Sequence, residues 1–145
     1  VKSVVIVSGG MDSVTLAYHL KHRDVISDLH IVSFDYGQRH LKELQYAKQC
    51  ADDLGVPFHR VYLPDIGALL GKSGSTLVNK STKVPEGHYA HESMKATVVP
   101  NRNAIMLSIA AGIAIAEEAD NVAIAVHAGD HFIYPDCRPE FIDWM

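Results

Sequence analysis

Val4-Val5-Ile6-Val7-Ser8-Gly9-Gly10-Met11-Asp12-Ser13 decides how the chain is read. An apolar run of strand length ends in two glycines, and the helical pattern Val14-Thr15-Leu16-Ala17-Tyr18 follows directly. Two successive glycines open backbone conformations closed to other residues, so consecutive N–H groups can converge on one anion. The helix start adds free N–H groups and about half a positive charge. Ser8 and Ser13 flank the turn with hydroxyls able to donate to phosphate oxygens, while Asp12 is placed to cap the helix or to hold a cation beside the phosphates. Strand, glycine turn and helix start together predict a site for a nucleotide's phosphates. An ordinary strand-to-helix turn is the plainer reading, but five fixed positions in this order arise by chance in roughly one chain of this length in several thousand. The near match to a Walker loop, Gly67-Ala68-Leu69-Leu70-Gly71-Lys72-Ser73, has three residues between its glycines where four are needed, and is discarded.

Outward from this stretch, apolar runs of strand length alternate with helix-length segments, the pattern of an α/β fold. An open, doubly wound parallel sheet with helices on both faces and about four visible strands is expected. After Val4 to Val7, a helix from about Ser13 to His22 places Val14, Leu16, Ala17 and Leu20 on its apolar side. Leu29 to Phe34 reads as the second strand, Lys42 to Leu54 as a helix closed by Gly55, and Phe58 to Leu63 as the third strand. Asn103 to Glu118 reads as a third helix and Val122 to Val126 as the fourth strand. Between Pro64 and Pro100 lies a long connection rich in Gly, Ser, Lys and His, which reads as a functional lid. Pro139 reads as the first position of a last helix bearing Phe141, Ile142 and Trp144.

At 145 residues, the chain is expected to form one domain, 1–145, around a single core. Hydrophobic residues make up 48% and charged residues 21%, which excludes a disordered chain. The net charge of −4 offers no general attraction to nucleic acid or anionic membrane, so no direct nucleic-acid partner is expected. The apolar stretch Ile105 to Ala116 is too short to span a bilayer, and no secretory signal opens the sequence, so a cytoplasmic location is expected. Cys50 and Cys137 form neither a metal-type pair nor a disulfide framework.

In open parallel sheets, ligands sit at the carboxyl ends of strands. The second strand delivers Phe34-Asp35-Tyr36-Gly37-Gln38-Arg39-His40, and the fourth delivers His127, Asp130, His131 and then Tyr134-Pro135-Asp136-Cys137-Arg138-Pro139-Glu140-Phe141. The long connection ends in Val84-Pro85-Glu86-Gly87-His88-Tyr89 and Glu92-Ser93-Met94-Lys95, before Val99-Pro100-Asn101-Arg102-Asn103 opens the third helix. Arg102 at a helix start is suited to two-pronged contact with phosphate or carboxylate.

The Ser-Gly-Gly-x-Asp-Ser loop resembles the PP-loop of the ATP pyrophosphatases, and the four later motifs, in order, resemble the 7-cyano-7-deazaguanine synthase family of the queuosine pathway. The resemblance runs from about Val4 to Phe141. It implies ATP-dependent ligase chemistry: adenylation of 7-carboxy-7-deazaguanine, amidation by ammonia, and dehydration of the amide to a nitrile. ATP contacts are expected at Ser8, Gly9, Gly10, Met11, Asp12, Ser13, Phe34, Tyr36, Gln38 and Arg39. Substrate contacts are expected at Tyr89, Arg102, Asp130, Tyr134, Asp136 and Arg138, with Lys95, Arg102, Asp130 and Arg138 in catalytic roles. Magnesium is expected with the triphosphate. No residue is assigned to a metal: the family's zinc sits on four clustered cysteines that are absent here, and the near pairs His19/His22, His88/His91 and His127/His131 read as solvated.

Two further departures stand out. The family usually has Gly where Asn101 stands, and Asn is the residue best able to replace it in a left-handed conformation. Phe132-Ile133 also replaces an expected Ser-Gly ahead of Tyr134. The missing cysteine region makes a shortened or split copy the expectation, with a homodimer or a separately encoded carboxyl-terminal piece as partner. Two alternatives remain: another PP-loop ligase or tRNA-thiolating enzyme, or a nucleotide-binding remnant without turnover.

Overall fold

The computed structural model describes residues 1–37, 42–66, 101–127 and 134–145. They group into two compact units. The first comprises residues 1–35, 42–62 and 105–125, and the second the described residues among 36–40, 63–104 and 126–145.

The first unit holds the sheet. In chain order its elements are β1 (Lys2–Ile6), α1 (Met11–Lys21), β2 (Asp28–Asp35), α2 (Lys42–Leu54), β3 (Phe58–Tyr62), most of α3 (Arg102–Ala116) and β4 (Asn121–Ala123). The strands are parallel in the order β3-β2-β1-β4, with Val5 opposite Ile31 on one side and Ala123 on the other. The chain winds outward from β1 to β3 and returns on the far side with β4. The order therefore reverses at β1, and the loop leaving its carboxyl end opens at the switch point where such sheets take ligands.

Side chains alternate across the sheet. Val5, Val7, Leu29 and Ile31 point to one face and bury with Ala17 of α1 and Ala47, Cys50 and Ala51 of α2. Val14, Leu16 and Leu20, the expected apolar positions of α1, pack against that core. α2 runs over the expected residues and ends in a Schellman turn. Gly55 is left-handed at φ +62°, its N–H donates to the Asp52 carbonyl, and Val56 N–H donates to that of Ala51. α3 closes the same way without a glycine: Glu118 takes φ +55°, and Ala119 N–H reaches the Ala114 carbonyl at 2.8 Å.

The fourth strand is shorter and earlier than the expected Val122 to Val126. Only Asn121, Val122 and Ala123 pair, opposite Ser3, Val4 and Val5, and Ile124 to Val126 run on outside the ladder. An apolar run marks burial; it does not mark where hydrogen bonding stops.

The second unit holds the first residues of α3, a 3-10 turn at Pro135–Cys137 and the short helix α4 (Pro139–Trp144). Proline opens α4 as expected, but none of its residues is buried, and Trp144 is 90% exposed. No described helix is long and apolar enough to cross a membrane.

Candidate functional site

The loop after β1 is shaped by its own hydroxyls. Ser13 Oγ donates to the Gly10 carbonyl at 3.0 Å and accepts from the Ser8 N–H at 3.2 Å. Ser8 Oγ lies 3.2 Å from Ser13 Oγ and accepts from the Gly10 N–H at 3.3 Å. Because the Ser13 proton goes to Gly10, the Ser8 hydroxyl is the donor between the two serines. The two hydroxyls expected to donate to phosphate thus bond within the loop, with Ser13 buried and Ser8 exposed.

Helix α1 starts at Met11 with Gly10 as its N-cap and no side-chain cap, so Asp12 does not fill the capping role open to it in the sequence. The first intrahelical bond runs from Val14 N–H to the Gly10 carbonyl at 3.1 Å. The N–H groups of Met11, Asp12 and Ser13 precede it and, by helix geometry, point out of the helix end toward an incoming acceptor. Met11 and Asp12 are exposed there.

The two glycines differ. Gly9 sits at φ +93°, and a Cβ on it would lie 1.9 Å from the Glu43 carbonyl oxygen in α2. Gly10 has φ −75°, open to any residue, and a Cβ there would meet only Ser8 Oγ at 3.4 Å. Gly9 therefore lets the loop lie against α2, while Gly10 leaves the space beside the helix start free of a side chain.

In the second unit, Arg102 opens α3 with Nη1 3.5 Å from the hydroxyl of the buried Tyr36. Burial disfavours the guanidinium's charge, but Tyr36, then Asp136 and Tyr134, outweigh it and raise the Arg102 pKa above its ordinary value. Arg102 is thus a half-buried cation beside Tyr36, Asp136 and Tyr134 and not a solvated surface arginine. Asp136 is buried, and its Oδ2 accepts the Asn103 N–H at 2.6 Å; the Asn103 amide donates to the Asp136 carbonyl at 3.0 Å and reaches Cys137 Sγ at 3.2 Å. A carboxylate expected to meet substrate therefore also satisfies a free N–H in the first turn of α3. Tyr134 is half-buried and Arg138 exposed, at the N-caps of the 3-10 turn and of α4. Phe34 is buried in β2. Gln38, Arg39, Tyr89, Lys95 and Asp130 lie outside the described residues, as do residues 67–100 of the proposed lid and Phe132-Ile133.

The model of the family described as "Queuosine biosynthesis protein QueC" matches residues 2–145. The chain belongs to the QueC family. Among curated QueC relatives, it is 59% identical over 142 residues to a 7-cyano-7-deazaguanine synthase of Rhizobium johnstonii, covering 98% of this chain and 58% of that protein. It is 60% identical over 141 residues to the enzyme of the same name from Agrobacterium fabrum, covering 97% of this chain and 58% of that protein. The chain thus spans rather more than half the length of the curated relatives it matches. Among solved structures it is similar to the U34-tRNA thiolase NcsA of Methanococcus maripaludis with its [4Fe-4S] cluster, at TM-score 0.59, 21% identity, 90% coverage of this chain and 40% of that one. It is also similar to an NH3-dependent NAD synthetase from Campylobacter jejuni, at TM-score 0.54, 12% identity, 98% coverage of this chain and 67% of that one. At such identities these likenesses show the fold alone, which is the α/β PP-loop fold expected from the sequence.

Asn101, where the QueC resemblance leads one to expect glycine, takes φ +55°. The left-handed turn ahead of α3 is kept by the residue best able to replace glycine there.

One further constellation is not visible from the sequence. His30 of β2, His59 of β3 and Glu117, just past α3, bring their ligand atoms within 4.8 Å of one another. The histidine pairs weighed in the sequence were close along the chain; this one is assembled by strand register. Its signal was a histidine in each of two neighbouring strands, on the face opposite Leu29 and Ile31.

Proposed function

We propose that the chain takes part in the ATP-dependent conversion of 7-carboxy-7-deazaguanine and ammonia to 7-cyano-7-deazaguanine, in the cytoplasm. The observation that carries the reading is the loop between β1 and α1, with uncovered N–H groups at a helix start, in a chain of the QueC family. On this reading, Ser8 to Ser13 hold the phosphates of ATP, with Phe34, Tyr36, Gln38 and Arg39 contributing to the nucleotide site. Magnesium bound with the triphosphate supplies charge neutralisation, and the exposed Asp12 carboxylate in the first turn of α1 is the ligand offered to it.

The chemistry needs a carboxyl oxygen made into a leaving group. Transfer of adenylate to the acid releases pyrophosphate; ammonia then displaces AMP to give the amide, and a second activation of the amide oxygen lets it depart and leaves the nitrile. Such steps rest on positioning and on stabilising phosphate charge. Arg102, which its surroundings keep charged, suits the acid's carboxylate or the adenylate, together with Lys95 and Arg138, while Asp130 suits the donor edge of the deazaguanine. Asp136, Tyr89 and Tyr134 complete the substrate contacts.

The test is incubation of the chain with Mg-ATP, ammonia and the acid, followed by chromatography for nitrile and pyrophosphate, beside calorimetric titration with ATP. Gly10→Val should keep the fold and lower ATP affinity at least about tenfold, because its side chain would keep the phosphates from roughly one of the N–H groups of Met11 to Ser13. Unchanged affinity in the folded variant would remove the loop as the phosphate site. ATP binding without nitrile formation would favour a nucleotide-binding piece without turnover.

A further inference from the structure

We infer that His30, His59 and Glu117 form a binding site for a divalent transition ion of the zinc class, at the end of the sheet opposite the phosphate loop. Strand register creates the pair. His59 is opposite Val32, two residues beyond His30 on the same face, and β2 and β3 are parallel, so the two rings meet diagonally near the strands' amino ends. His30 Nδ1 lies 3.1 Å from His59 Nε2, with ring centroids 5.3 Å apart. Glu117 follows α3, and its Oε2 is 3.6 Å from His30 Nδ1. All three belong to the first unit.

These separations match a coordination sphere. Ligand atoms about 2.0–2.1 Å from a tetrahedral ion stand roughly 3.3 Å apart, between the 3.1 Å and 3.6 Å found here. Two imidazoles and one carboxylate form a donor set that zinc accepts, with water in the fourth position. The buried His30 also has the outer support typical of metal-bound imidazole, since its Nε2 lies 3.4 Å from Asp28 Oδ2. With the proton on Nε2, facing that carboxylate, Nδ1 keeps a lone pair for the ion. In the ion's absence, His59 Nε2–H then donates to His30 Nδ1, and metal entry moves that proton to His59 Nδ1 through solvent.

Lys2 is the competing cation. Its ammonium is 3.6 Å from both Asp28 Oδ2 and Glu117 Oε2, so it neutralises the carboxylates that the ion would use. Since β1 lies between β2 and β4 and Glu117 sits between α3 and β4, a bound ion would tie β2, β3 and the α3–β4 turn together. The site would serve as a staple remote from the phosphate chemistry.

The chain, stripped of metal with a chelator, is titrated with zinc by calorimetry and with cobalt by visible spectroscopy. One ion per chain is expected, with a tetrahedral cobalt spectrum free of thiolate bands and a raised melting temperature. His59→Ala and Glu117→Gln should each weaken binding by roughly 100-fold or more and Asp28→Asn by about 10- to 100-fold, while Lys2→Met should tighten it. Paired His19→Ala and His22→Ala replacements should change nothing. Glu117→Gln alters a half-buried side chain at a helix end, so it remains a valid test if His59→Ala fails to fold. No uptake by the parent chain would overturn the site, as would uptake unaltered in both ligand variants.

Discussion

Gly9 and Gly10 are neighbours with unlike duties. Gly9 combines φ +93° with a Cβ direction blocked at 1.9 Å by the Glu43 backbone, which cannot swing aside as a side chain would. Gly9→Ala should therefore cost at least about 1–3 kcal/mol of folding stability in urea denaturation, whether or not ATP is present. Gly10→Ala should leave the denaturation midpoint nearly unchanged, because its φ of −75° suits any residue. The paired glycines made the turn legible in the sequence. Which one the fold needs was not, because the obstacle comes from α2, and only the folded backbone brings Glu43 to the loop. Asn101 is the opposite case: its left-handed φ of +55° was legible from the family's usual glycine at that position and the tolerance of Asn for that conformation.

At the scale of elements, helix ends carry most of what sequence spacing could not show. Helix α1 has an Asp in its first turn and makes no side-chain cap, whereas α3 is served by Asp136, 33 residues from the Asn103 N–H it accepts. The polar residues near each helix start were visible. The pairing across the chain was not, since it depends on the 3-10 turn bringing Asp136 back to α3. Asp136→Ala should leave a buried N–H unsatisfied and cost about 1–3 kcal/mol, read as a lower urea midpoint, beyond any loss of substrate affinity. Asp136→Asn keeps an acceptor oxygen and should recover part of that stability. If the alanine variant were as stable as the parent, the cap would be of no energetic consequence.

For the molecule as a whole, the alternation of apolar runs and helical segments was enough to reach a parallel sheet, whereas the switch point at the loop after β1 came only with the strand order. Strand lengths and the His30–His59–Glu117 grouping needed the register, which no local pattern encodes. One global property follows from the core. The Cys50 thiol, buried against the sheet, is pushed up in pKa by desolvation first and by Asp53 second. The unfolded thiol ionises at about 8.5, so this contribution is fully present below that pH and is lost as pH rises toward the native value. Urea midpoints should fall as pH rises above about 8.5, with a shallower decline in Cys50→Ala. An identical decline in both would place the alkaline sensitivity elsewhere.

The central place of β1 also has a consequence in time. Its partner on one side, β2, leaves the ribosome soon after it, but Lys2 and Asp120, bonded where β4 begins, are 118 residues apart. At roughly 5–20 residues per second, synthesis leaves that edge of β1 without its partner for about 6–24 s. During that interval, an apolar strand edge is open to neighbouring nascent chains. Slowing translation anywhere between β2 and β4 lengthens the exposure without altering a single contact of the finished protein.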